Sequence, residues 1–250
     1  MPRFFSESWS LPIEEFAYII GPLLLYMTIF VGFKIQRSVL FGILTLIIIM
    51  VFIATKIIYN NNVQETSMMF WNVNVKAITI YRIDAIYYGV LAAWISLISP
   101  KFWLARKHLG FMLGLLIFIG LNFAIPTQKL FIETHPFFWN VLYLPINSIA
   151  IAFCLPLLSS IISGPRIIRK PITVISLISY SMYLLHYSVV LRLLKIIFPT
   201  TNLTTGELVG YFLLYMISTI LMSLILYRFF EKPLMDIRDK PYLLRWFKTK

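Results

Sequence analysis

VLFGILTLIIIMVFIAT, residues 39–55, contains no charged side chain and no proline. As a helix it rises about 26 Å, most of the ~30 Å hydrocarbon layer of a bilayer. Working outward from it, six further apolar runs reach a comparable length: Phe16 to Phe33, Ile78 to Ile98, Leu109 to Ile125, Val141 to Ile162, Ile172 to Phe198 and Leu208 to Phe230. The expected fold is an all-α membrane protein, a bundle of about seven transmembrane helices forming one membrane domain over residues 1–250, with a basic tail at 234–250. Pro145 and Pro156 fall inside the fifth run, where a membrane helix tolerates proline if its neighbours satisfy the freed carbonyls.

Composition points the same way. Of the 250 residues 60% are hydrophobic and 13% charged, with a mean hydropathy of +0.84, more apolar surface than a soluble core can hide. A lone cysteine, Cys154, excludes a disulfide framework within one chain, and His108, His135 and His186 lack ligand spacing, so no metal site is expected. Neither a Gly-rich phosphate loop nor a dinucleotide fingerprint is present. Glu14 and Glu15 precede the first apolar run and no small-residue cleavage site follows it, so the first span is expected to be retained.

The basic residues sort into alternate connections. Lys34 and Arg37 lie between runs one and two, Lys101, Arg106 and Lys107 between three and four, and Arg166, Arg169 and Lys170 between five and six. The C-terminal end adds Arg228, Lys232, Arg238, Lys240, Arg245, Lys248 and Lys250. The positive-inside bias makes this set cytoplasmic and places the N-terminus outside, as an odd number of spans requires. A net charge of +12 is thereby accounted for by topology and anionic lipid headgroups, without nucleic acid.

Ionisable and polar groups at or within apolar runs are the candidates for function. Trp9-Ser10-Leu11-Pro12-Ile13-Glu14-Glu15 reads either as an interfacial anchor with a helix start or as part of a site. In Tyr81-Arg82-Ile83-Asp84 the two charges are two residues apart, on opposite sides of a helix, so each needs a partner elsewhere; Glu14 is the expected partner of Arg82. In the sixth run Ser179, Tyr183 and His186 fall within roughly 60° of one another at 100° per residue, a polar stripe that should face protein. Tyr227-Arg228-Phe229-Phe230-Glu231-Lys232-Pro233 has charges at spacing for local ion pairs, with Pro233 expected to end the helix.

Taken in order, these segments resemble the integral membrane acyltransferase 3 family, whose members acylate hydroxyls of cell-envelope carbohydrates. The resemblance rests on Trp9-Ser10-Leu11 with Glu14, Tyr18 and Pro22; on Arg82, Asp84 and Gly89; on Ser179-Tyr180 with Tyr183-Leu184 and His186; and on Glu231 with Pro233. It implies O-acyl transfer, O-acetylation above all, from acyl-CoA as cosubstrate, with no tightly bound cofactor, to a carbohydrate or lipid-linked sugar, in the bacterial inner membrane. It assigns catalytic or site-shaping roles to His186, Ser179, Tyr183, Glu14, Arg82 and Asp84, and attraction of the CoA phosphates to Arg166, Arg169 and Lys170. In the family about three further helices ordinarily precede the Trp-Ser-Leu segment and carry the histidine most often proposed as base. The chain therefore corresponds to the C-terminal portion of such an enzyme, either a truncated fragment inactive by itself or one completed by a separate polypeptide that supplies the missing helices. Two alternatives stand beside the enzyme: a non-catalytic membrane subunit, and a small-solute transporter in which Arg82, Asp84 and His186 line a path.

Overall fold

The computed structural model describes residues 8–30, 36–64, 66–162, 164–198 and 204–238. Lys34, Asn202 and Leu203 of an Asn-Leu-Thr sequon, and the tail basics Lys240, Arg245, Lys248 and Lys250 lie outside the described residues. Every regular element among the described residues is helical, with no strand. Six helical stretches are long and apolar enough to cross a membrane, seven if a bent pair counts as one span. Within the six, only 11% to 28% of the most apolar window is buried in the protein. Apolar faces turned outward to that extent suit lipid and not water.

The described chain forms two compact units. The larger, Trp9–Ile162, begins with a 3-10 turn at Ser8–Ser10 and helix α1 (Leu11–Phe30), followed by α2 (Arg37–Asn62). A short helix α3 (Met68–Trp71) runs into a π-turn (Asn72–Lys76), then come a 3-10 turn (Thr79–Tyr81) and α4 (Ile83–Ile98). The stretches Met68–Lys76 and Thr79–Ile98 are bent by 93° against each other. The third expected span is thus not one straight helix from Ile78. Helix α4 by itself rises only about 24 Å, short of the ~30 Å hydrocarbon layer. Helices α5 (Pro100–Ala105) and α6 (Lys107–Thr127), a π-turn (Phe138–Leu142) and α7 (Tyr143–Ser159) complete the unit.

Small residues let these helices approach closely. A side chain at Gly114 of α6 would lie 2.4 Å from the Ala150 carbonyl oxygen of α7, and one at Gly110 would lie 2.8 Å from that of Phe153. Gly110 and Gly114, four apart, therefore put α6 directly on the α7 backbone. Gly42 of α2 accepts the Trp94 indole of α4 in the same way, and Trp94 Nε1 donates to the Ser38 carbonyl at 2.6 Å. Ala17, Leu24, Ile49, Ile83, Tyr87 and Tyr88 fill the core between α1, α2 and α4.

The second unit contains α8 (Arg166–Leu185), a π-turn (His186–Leu191), α9 (Arg192–Ile197), then α10 (Thr205–Leu226), a π-turn (Tyr227–Glu231) and α11 (Lys232–Arg238). A capping box between Thr204 and Glu207 starts α10. Pro233 does not end the helix as expected. It sits in the first turn of α11, directly after a π-turn, where its missing N–H and its ring meet a widened turn instead of a regular one. The same order, π-turn then proline, recurs at Phe138–Leu142 and Pro145. Helix α8 also starts earlier than the apolar run at Ile172, so Arg166, Arg169 and Lys170 lie on its first turns and not in a connection.

Candidate functional site

Two concavities gather the polar side chains, one in each unit. That of the larger unit has a volume of about 430 Å³ and lies where α4, α7 and the bent segment after α3 meet. Trp71, Trp139 and Tyr143 form its aromatic wall, Arg82 and Lys76 bring positive charge, and Asn147 and Ser148 of α7 add polar groups. Trp71 and Trp139 meet edge to face, 5.5 Å between centroids, and Trp139 lies 4.6 Å from Tyr143. Trp71 Nε1 donates to the Trp139 carbonyl at 3.1 Å and Trp139 Nε1 to that of Leu130 at 2.7 Å, so both indoles are pinned by their own N–H groups.

Directly behind Arg82, a buried ion pair joins two helices. Lys56 Nζ of α2 donates to Asp84 Oδ2 of α4 at 2.5 Å, with side-chain exposures of 0% and 2%. Asp84 Oδ1 is buried with no hydrogen-bond partner. A charge in hydrocarbon is tolerated when paired, so Lys56 permits α2 to continue to Asn62 instead of stopping at Thr55, where the uncharged run ends. Lys56 is the residue that reading along the sequence missed: it stands at the edge of an apolar run, and its partner is 28 positions away.

The expectation that Arg82 and Asp84 turn to different partners matches the geometry, but Glu14 is not the one for Arg82. Glu14 is exposed in the first turn of α1, where its charge meets the positive helix end, and makes no ion pair with Arg82. The Arg82 guanidinium instead lies over the Trp9 ring, 5.5 Å from its centroid. Tyr18 and Pro22 of α1 are also exposed, while Gly89 lines the Arg82 pocket.

In the second unit Ser179, Tyr183 and His186 of α8 and its π-turn line a groove of about 360 Å³ with Tyr215 and Thr219 of α10. His186 Nδ1 lies 2.7 Å from the Tyr183 carbonyl oxygen and 3.1 Å from that of Met182. Carbonyl oxygens only accept, so Nδ1 is the donor to them, which leaves Nε2 as the ring nitrogen not engaged by these contacts. Ser179 Oγ donates to the Ser176 carbonyl at 2.8 Å. Glu231 forms no local ion pair; its Oε1 accepts from Ser181 Oγ at 2.7 Å, while Lys232 pairs with Asp236 at 2.9 Å. Ser181 is fully buried and was not singled out from the sequence. Two of the four π-turns thus begin or end on a functional candidate, His186 and Glu231, the kind of place where such turns concentrate.

Arg166, Arg169 and Lys170 are exposed. Their spacing of three and four puts them on one side of α8, against the sense of its dipole unless an anion sits among them. Comparison with protein-family models, with curated proteins and with solved structures finds no match to this chain.

Proposed function

We propose that this protein acts in membrane-embedded O-acyl transfer, moving an acyl group, most simply acetyl, from acyl-CoA to a hydroxyl of a cell-envelope carbohydrate. The bacterial inner membrane is the site of action, with the N-terminus outside and the basic C-terminal end in the cytoplasm. The observation that carries the reading is the placement of His186: its Nδ1 is engaged by the Tyr183 carbonyl, and its ring lines a groove with Ser179 and Tyr183, where Nε2 is the nitrogen available to an alcohol.

In the proposed step the acceptor hydroxyl gives its proton to Nε2 as its oxygen attacks the thioester carbonyl. The C–S bond then breaks, an ester remains on the sugar, and the imidazolium returns the proton to the departing CoA sulfur. Tyr183 and Ser179 orient the participants. Arg166, Arg169 and Lys170, on the first turns of α8, attract the CoA phosphates. The surrounding partner is membrane lipid.

The experiment compares O-acetyl content of envelope carbohydrate in cells making the wild-type chain or His186→Ala at equal membrane level. Loss of the ester in the variant supports the reading; full ester content with His186→Ala refutes it. A second reading, a small-solute transporter, draws on a different observation, the ion pair buried between α2 and α4. Uptake of a solute that is independent of acyl-CoA and abolished by Lys56→Met would favour it.

A further inference from the structure

We infer that the cleft bounded by α4, α5, α6 and α7 is a binding site for one anionic phospholipid, with its phosphate at Arg106 and one acyl chain lying along the cleft. The cleft has a volume of about 470 Å³. Tyr88 to Ile95 of α4, Arg106 to Leu113 at the start of α6 and Ile149 to Pro156 of α7 line it over matching lengths, about 10 Å of helix each. The three segments are also in register. Trp103 Nε1 of α5 donates to Ser159 Oγ at 3.1 Å and Lys107 Nζ to Ser160 Oγ at 3.4 Å, so the end of α7 meets the junction of α5 and α6, and α5 follows directly on α4. Arg106 therefore marks the rim of the cleft, and Tyr88, Leu113 and Ile149 its inner end.

The occupant follows from shape and charge. Tyr88, Ala92 and Pro156 form the buried part of the cleft, whereas Leu109, Leu113 and Phe153 are exposed along its mouth, so hydrocarbon can enter sideways from the bilayer without crossing water. Arg106 is the one charged side chain among the described residues that line the cleft, and it is exposed at the rim, where a guanidinium can take a phosphate through two parallel N–H groups. Lys101 and Lys107 stand close to it in sequence, and residues 99–113 contain no Asp or Glu. A choline or ethanolamine cation thus finds no counterion there, while a headgroup of net negative charge meets three basic residues. Trp103, its N–H already donated, presents an amphipathic ring at headgroup level. This site requires that the helices lie in a bilayer, and it does not depend on acyl transfer.

The full-length protein in dodecyl maltoside micelles is titrated with dioleoylphosphatidylglycerol or dioleoylphosphatidylcholine, and retained lipid is counted by native mass spectrometry. One phosphatidylglycerol should be retained saturably and about tenfold or more tightly than phosphatidylcholine. Arg106→Gln should weaken phosphatidylglycerol about tenfold, towards the phosphatidylcholine value. Because Arg106 is exposed, an unchanged thermal midpoint of the lipid-free variant verifies that its fold is intact. Leu109→Trp, which narrows the mouth, should weaken both lipids. Equal retention of the two lipids, retention of neither, or a second copy of the protein seated in place of lipid overturns the inference. So does a preference for phosphatidylglycerol that survives Arg106→Gln, an affinity indifferent to Leu109→Trp, or displacement of the lipid by an equal concentration of glycerol 3-phosphate, which would mark an anion site and not a lipid cleft.

Discussion

Replacing Lys56 with methionine keeps the length of the side chain and removes its charge, leaving the Asp84 carboxylate alone at 2% exposure between α2 and α4. At 2.5 Å and an effective dielectric constant near 20, the attraction in the pair is about 7 kcal/mol, most of it offset by the cost of desolvating both ions. Asp84 Oδ1 lacks a hydrogen bond, so the pair is less than fully compensated to begin with. Removing one partner should cost about 3–5 kcal/mol, because the other charge stays buried. Removing both, in Lys56→Met/Asp84→Leu, should return stability to within about 1 kcal/mol of wild type or exceed it. Equilibrium unfolding in mixed micelles, run as a double-mutant cycle, measures both numbers. A single variant costing under about 1 kcal/mol, as for an exposed pair, would refute the reasoning, as would a double variant as unstable as the sum of the singles.

Other perturbations test other parts of the account. Gly114→Leu should push α6 off the α7 backbone and cost at least about 1–3 kcal/mol, read as a lowered unfolding midpoint, whereas the same change at Gly120, which faces open space, should be near neutral. Neutralising Arg166, Arg169 and Lys170 together to glutamine should raise the KM for acyl-CoA and flatten its salt dependence while leaving kcat little changed, checked by steady-state kinetics at two ionic strengths. Ser181→Ala removes the hydroxyl that Glu231 accepts from and should lower stability by about 1–3 kcal/mol in the same unfolding assay.

The long apolar helices were legible because a membrane helix announces itself by length and lack of charge. Legibility failed where a tertiary partner changes what a charge means. Lys56 looks like a stop after Thr55, yet α2 runs through it because Asp84 neutralises it from another helix. The break before Arg82 was equally hidden: the apolar run from Ile78 reads straight through it, and only the fold shows Met68–Lys76 bent by 93° against Thr79–Ile98.

The site divides along the same line. The stripe of Ser179, Tyr183 and His186 was readable because helical spacing alone fixes it, and all three line one groove. Its counterparts Tyr215 and Thr219 belong to a later helix and left no local signal. Trp71, Trp139 and Tyr143 come together from two distant segments, and in a chain that is 16% aromatic no spacing distinguishes them. Arg82 and Asp84 could be told apart by their two-residue separation, but their partners, Trp9 and Lys56, required the fold.

The most direct measurement of the proposed chemistry follows free thiol and ester together. The purified chain in nanodiscs is given acetyl-CoA and an envelope carbohydrate acceptor, and released CoA is titrated against O-acetyl ester formed. The account predicts one thiol per ester, dependent on acceptor and abolished by His186→Ala. Ester formation that survives His186→Ala, or no acceptor-dependent thiol from a folded protein supplied with both substrates, would contradict it.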